Sequence, residues 1–286
     1  MASVWCKTPA GTIVVRHGCA GYDALTCKEC LADETRIDAG MLQQALQCPP
    51  DAMKVGPTCI DIYEASIWQI PASNTALIEK VLLGEASLAD LSGVATAPGP
   101  LYGQFPENGN WTDPTVMAVS VPGVLPAVGF TWFQAEQACA RAGKRLLTNQ
   151  EWQRAAAGTS DPGDADDGAT TCATNSTLAL TGARPNCVSV WGIHDMVGNA
   201  REWVADWLDL DVANAKGVPN CTLWPGGFGA DSSCVGGPGG GGRASLPAAL
   251  QRGGSYFDKS GGGVFAVLAT FTPDEAQDGV GFRCAR

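Results

Sequence analysis

Twelve cysteines, and the close spacing of several, hold most of the chemistry this chain could perform. Cys48 and Cys59, Cys172 and Cys187, and Cys221 and Cys234 each bracket a short polar loop. Oxidised pairs close such loops outside the reducing cytosol or in a thermophile; free thiols are the alternative, and spacing alone does not fix connectivity. Nearer the start, Cys6, His17, Cys19 and the C-x-x-C of Cys27 and Cys30 offer soft metal ligands. A matching second C-x-x-C is missing, so two disulfides rank ahead of zinc, with unpaired thiols third. Redox catalysis at Cys27 and Cys30 ranks lower, because no βαβ pattern surrounds them. Four carboxylates in D-P-G-D-A-D-D-G, Asp161 to Gly168, are hard oxygen ligands on a flexible turn. Their spacing is not that of an EF-hand, so a solvated loop is the first reading and calcium the second. His17 and His194 are the only histidines, and no Ser-His-Asp arrangement can be assembled from them. His194 has no obvious His or Cys neighbour and reads as a hydrogen-bonded core or surface residue.

The elements that would position these groups are constrained by composition. A chain of 286 residues, 45% hydrophobic, suffices for one large domain with insertions or two modest ones. Charged residues make up only 16%, while 36 glycines and 18 prolines imply many turns and long irregular loops. A net charge of -11, from 18 basic and 29 acidic residues, argues against a nucleic-acid partner, and solubility is its plain reading. No stretch reaches the roughly 18 consecutive apolar residues of a membrane span. The start, M-A-S-V-W-C-K, lacks the regions of a signal peptide, which implies export by another route or a trimmed chain. Sequons at Asn110, Asn175 and Asn220 matter only in a glycosylating host. The run Gly236 to Gly242 has neither the pattern nor the flanks of a phosphate cradle and reads as a mobile surface loop.

Residues 1–47 read as a small Cys-rich module: two apolar-rich turns, then a helical run from Ile37 to Leu46. Residues 48–286 read as the main domain, opening with an alternating, half-buried strand between Cys48 and Ser66. A helical insert with Leu77, Ile78, Val81 and Leu82 is expected at the surface, followed by loops through about Pro114. Trp132 to Gly158 gives the clearest helix signal. Phe133, Ala135, Ala138, Cys139 and Ala142 form one apolar face, Gly143 stops the helix, and Thr148 with Glu151 forms the capping box of a second.

Several of these segments resemble the formylglycine-generating-enzyme (sulfatase-modifying factor) domain family. The opening I-D-I-Y-E-A-S, the helix pair W-F-Q-A-E-Q-A-C-A-R-A-G-K-R-L-L-T-N-Q-E-W-Q, the segment G-I-H-D-M-V-G-N-A-R-E-W, the run R-G-G-S-Y and the terminus G-F-R-C-A-R occur in the family's order. The pair departs from the family at Leu147, where proline is usual, and at Gln153, where an acid is usual. The resemblance implies an α+β, C-type lectin-like fold, loop-rich, with short antiparallel strands and two main helices. It implies a bridge between Cys139 and Cys284, and a structural calcium held by Asp195, Gly198, Ala200 and Glu202. In the family's oxidases two cysteines shortly after R-G-G-S-[WY] bind copper and attack the substrate. Here that stretch, Phe257 to Gly263, has none, and no cysteine lies between Cys234 and Cys284. Without a thiolate, neither the nucleophile nor the soft ligand is available. Related sulfoxide synthases need an iron-binding histidine cluster that two histidines cannot supply.

With C-P-P-D-A-M-K-V-G-P-T-C near the start of the main domain, I-W-Q-I-P after it, and G-V-F-A-V near the end, the chain looks most like the variable proteins of diversity-generating retroelements. In that family the C-terminal segment, here about 252–286, is rewritten by mutagenic reverse transcription and displays its altered side chains to a ligand. The resemblance places a diversified binding face at Tyr256, Phe257, Asp258, Ser260, Leu268, Thr270, Phe271, Asp274, Glu275, Gln277 and Asp278. Gly253, Gly254, Val264, Phe265, Ala266, Pro273 and Phe282 are expected in invariant backbone or core roles. Rigid aromatics among acids and hydroxyls suit protein recognition. The expectation is a non-catalytic receptor for a protein or cell-surface ligand, extracellular, at a cell surface or on a virion. The alternative is an oxidase of this family that has lost or relocated its thiols.

Overall fold

A computed structural model describes residues 3–7, 9, 13–17, 35–37, 47–93, 105–113, 115–208, 220–223, 231–235 and 246–286. The chain divides into two compact units, Met1–Gln47 and Cys48–Arg286. In the first, strands β1 (Ser3–Lys7), β2 (Ile13–His17) and β3 (Thr35–Ile37) form an antiparallel sheet in the order β2-β1-β3. The segments expected as turns around Cys6 and His17 are therefore strands. Ile37, expected to begin a helix, ends β3; the rest of that run, and Cys19, Cys27 and Cys30, lie outside the described residues, as does the glycine run 236–242.

The second unit is built on a six-stranded sheet of β9 (Arg201–Leu208), β10 (Asn220–Leu223), β11 (Ser232–Val235), β12 (Ala248–Gly253), β13 (Gly263–Phe271) and β14 (Val280–Phe282), in the order β10-β11-β13-β12-β9-β14. A four-stranded sheet orders β4 (Ala52–Val55), β5 (Thr58–Asp61), β15 (Cys284–Ala285) and β8 (Arg145–Leu146), and β6 (Ser66–Gln69) pairs with β7 (Val116–Val119). This is the short-stranded, loop-rich α+β architecture expected of a C-type lectin-like domain.

Helix α1 (Thr75–Leu83) and the short α2 (Leu88–Leu91) form the insert. The insert is only half a surface feature: Leu77, Val81 and Leu91 are buried with Trp68, Ile70 and Met117, while Leu82 faces solvent. Helices α3 (Trp132–Arg141) and α4 (Asn149–Ala155) both start on capping boxes, Thr131 with Gln134 and Thr148 with Glu151. Each box satisfies backbone donors that a helix start leaves free. The buried face of α3 carries Gln134, Ala135, Ala138 and Cys139. Phe133, expected there, instead joins Trp132 and Trp207 in an edge-to-face group with ring centroids 5.0–5.7 Å apart. Gln134 takes the inward position because its amide serves the cap and donates to the Phe105 carbonyl at 3.0 Å.

Cys139 on α3 is bonded to Cys284 on β15, and Cys48–Cys59 and Cys172–Cys187 are bonded as expected. Cys234 is also disulfide-bonded, and its register partner across the β10–β11 pair is Cys221. The Cys139–Cys284 bridge spans 145 residues, a loop whose closure stabilises by about 4–5 kcal/mol on chain-entropy grounds.

Candidate ligand-binding face

The face begins where β12 ends. Gly253 and Gly254 have φ of +87° and +78°, and a Cβ at Gly254 would lie 2.4 Å from Gly262 Cα, so the R-G-G run turns as only glycine permits. Within the turn, Asp258 Oδ2 accepts the Ser255 amide at 2.7 Å and hydroxyl at 2.8 Å, and Arg201 Nε donates to it at 2.8 Å. Arg201 Nη2 donates to the other oxygen, Oδ1. Asp258 therefore ties the turn to β9, and this bidentate pair fixes its orientation; it is a frame residue in a position expected to face a ligand.

Phe257 is 47% exposed, with its ring 5.3 Å from the Arg201 guanidinium carbon and edge-on to Tyr256 at 4.9 Å. Gly279 makes room for both rings: a Cβ there would lie 3.1 Å from Phe257 Cε1 and 3.4 Å from Tyr256 Cε1. The aromatic pair is thereby brought beside the loop carrying Gln277 and Asp278. Ser260 and Asp278 are exposed, and Tyr256, Leu268, Thr270, Phe271, Asp274, Glu275 and Gln277 are half-buried. The Ser260 backbone approaches Gly163 of the acidic loop, and Phe271 packs partly against the core that holds Trp203 and Phe282. Asp274 accepts from the Thr272 hydroxyl. Of the residues expected inside, Gly253, Gly254, Ala266, Pro273 and Phe282 are buried, whereas Val264 and Phe265 are half-buried. The bulges in the β12–β13 pairing interrupt simple alternation and account for this.

Beneath the face lies a buried charge cluster. Arg283 Nη2 contacts Glu202 Oε1 at 2.6 Å, and Trp152 Nε1 donates to Glu202 Oε2 at 2.7 Å. Glu64 accepts the Ala200 amide at 2.9 Å and the Asn199 side chain at 2.5 Å. Asp195, at φ +58°, accepts the Gly182 amide at 2.7 Å. Burial first, then Asp195 and Glu202, pushes the Glu64 carboxyl well above the usual range, and burial pushes Asp195 up to about 6.

Of the four residues expected to hold calcium, Glu202 is committed to other partners. The oxygens of Glu202 are engaged by Arg283 and Trp152, and a cation would have to displace a buried arginine. Among the described residues no group of three or more His, Cys, Asp or Glu is arranged to hold a metal. The carboxylates of the acidic loop do not converge either: Asp167 Oδ1 accepts the Ala169, Thr170 and Thr171 amides, and Asp166 accepts those of Gly168, Thr174 and Asn175. His194 stacks on Tyr63 at 5.1 Å, and its Nδ1 lacks a partner. Arg201 escaped the sequence reading although it lies inside a recognisable motif.

An α+β domain with a loop-built, aromatic and acidic outer face is thus set on a disulfide-closed frame. Residues 105–286 match the sulfatase-modifying factor enzyme 1-like domain family, and the chain belongs to that family. A stretch of 106 residues, 35% of this chain, is 31% identical to the serine/threonine-protein kinase Pkn1 of Chlamydia trachomatis serovar L2, of which it covers only 17%. Among solved structures, the P3c variant of a Major Tropism Determinant is 16% identical with a TM-score of 0.45, covering 99% of this chain and 71% of that one. Treponema denticola variable protein 1 is 15% identical with a TM-score of 0.37, covering 80% and 84%.

Proposed function

We propose that this chain is a non-catalytic binding protein of the retroelement variable-protein type, with its C-terminal face as the part that meets a protein ligand. What carries the reading is the setting of Phe257. Its large apolar ring is 47% exposed, beside Tyr256 and the Arg201 guanidinium, on a turn that Gly253, Gly254 and the Arg201–Asp258 pair hold rigid. A rigid aromatic among polar groups loses little entropy on contact and suits a recognition surface. Position-by-position variability follows as part of the proposal. Sequencing the DNA that flanks the gene tests it: a near-identical repeat differing at adenines, with a reverse transcriptase nearby, is expected, and a genome without one refutes it.

The oxidase alternative has less behind it. The segment that carries thiols in that chemistry, Phe257 to Gly263, has none, and the bridges at Cys139–Cys284 and Cys172–Cys187 leave those sulfurs unreactive. Oxygen consumption with copper and a cysteine-containing peptide would revive it. The disulfides favour an oxidising, extracellular setting. Among the described residues no helix is long and apolar enough to cross a membrane.

A further inference from the structure

Asp231, the residue before β11, is closed off from solvent, 0% exposed. One carboxyl oxygen, Oδ2, accepts the Phe265 amide of β13 at 2.7 Å. The other, Oδ1, meets no donor among the described residues, and β13 closes over it so tightly that a Cβ at Gly263 would lie 2.1 Å away. The side-chain partner of this carboxyl is a second carboxyl, that of the exposed Asp161 at the start of the acidic loop. Two carboxylates offer acceptors only, so a hydrogen bond between them needs a proton on one. Arg252 of β12 feels the Asp231 charge, but its Nη2 donates to Gln153 and to the Val264 carbonyl, and its guanidinium lies over the Trp152 ring.

The acidic loop in turn braces the outer face. Thr174 Oγ1 donates to the Gly163 carbonyl at 2.6 Å, the Thr174 carbonyl accepts the Lys259 amide at 2.8 Å, and a Cβ at Gly163 would lie 3.5 Å from Ser260 Cα. Lys259 has φ +54°, a left-handed conformation that a lysine keeps only where its surroundings impose it. The turn that carries Ser260 is thus held in shape by the loop that Asp161 begins.

We propose that Asp231 and Asp161 form a proton-held latch: one shared proton clamps the acidic loop to β13 and braces the 259–261 turn, and loss of that proton parts the two like charges and relaxes the turn. The latch stands whether or not the face meets a ligand. Burial above all, aided by the Asp161 charge and opposed by the Phe265 amide, pushes Asp231 up to about 7 from an ordinary 3.8. A carboxyl raised in the folded state holds its proton more tightly there, so the latch is fully closed below the ordinary value and opens as pH rises through about 7.

The test titrates the full chain, isotopically labelled, by NMR from about pH 5 to about pH 8. The Asp231 side-chain carboxyl is expected to titrate near pH 7, and the Gly163 and Ser260 amides to shift with the same midpoint. In Asp231→Asn, whose amide donates to Asp161 at every pH, those two shifts should lose most of their amplitude, whereas Asp164→Asn, in the same loop, should keep them. An Asp231 midpoint in the ordinary carboxylate range of about 4, amides that move at a different midpoint, or an undiminished shift in Asp231→Asn overturns the proposal. So does calcium that, at about pH 8, returns the wild-type amides to their low-pH positions, since a cation would then bridge the two carboxylates. Should Asp231→Asn fail to fold, the wild-type midpoints decide by themselves.

Discussion

Replacing Arg283 by methionine should be among the most damaging single changes in the main domain. Arg283 is 1% exposed. It pairs with Glu202 and donates to three backbone carbonyls, those of Asp61 at 3.2 Å, Ile62 at 3.3 Å and His194 at 2.9 Å. The last strand is thereby stitched to β5, β9 and the loop before it. Methionine preserves much of the stem's packing but leaves Glu202 buried opposite only the Trp152 indole, with Glu64 and Asp195 close by. Removing one member of a buried ion pair costs about 3–5 kcal/mol, because the other charge is stranded. At about 2–4 °C per kcal/mol for a domain of this size, the midpoint should fall by roughly 6–20 °C. The double variant Arg283→Met with Glu202→Met should recover much of that loss, since the stranded charge goes with its partner. Urea denaturation of both variants gives the two free energies directly. A single-variant loss below about 1 kcal/mol, or a double variant worse than the single by the full cost of a second lesion, would refute this placing of the energy.

Replacing both Cys139 and Cys284 by alanine should cost up to about 4–5 kcal/mol by urea denaturation, and a loss under about 1 kcal/mol would show that the bridge constrains little. Burial raises Asp61 and Asp195 to about 6 and Asp231 to about 7 from an ordinary 3.8. These groups hold protons more tightly folded than unfolded, so their contribution is fully present below about pH 4 and is lost as pH rises through 6–7. The melting temperature should accordingly fall from pH 5 to pH 7.5, less steeply in Asp231→Asn, and a rise over that range would contradict the raised affinity of these carboxyls for protons. With Glu202 held by Arg283, calcium or a chelator should leave the melt unchanged; stabilisation by calcium would reinstate the site at Asp195, Gly198, Ala200 and Glu202.

Much of the frame was legible because local rules govern it. A capping box, a glycine stop and closely spaced cysteines are local signals, and α3, α4 and the bonds at Cys48–Cys59 and Cys172–Cys187 stand where they pointed. Legibility faded where a residue's role depends on a distant partner. Gln134 looks polar and outward until Phe105 comes within reach, and Asp258 looks like a surface acid until Arg201 meets it from β9. Glu202 shows the same dependence: it looks like a hard ligand in sequence, but Arg283, 81 residues later, donates to it. Aromatic exposure was partly legible. Phe257 is 47% exposed, whereas Phe271 of the same segment, opposite Ala249 in the β12–β13 pair, leans on the core.

The most direct trial of the receptor reading is a display library randomised at Tyr256, Phe257, Gln277 and Asp278, with Gly253, Gly254, Arg201 and Asp258 kept. Affinity for an immobilised protein target is measured by biolayer interferometry alongside each clone's melting temperature. Clones should melt within a few degrees of the parent and include binders whose affinity vanishes when the four positions revert. A library whose members fold like the parent yet yields no such binder would contradict the assignment of this face to ligand recognition.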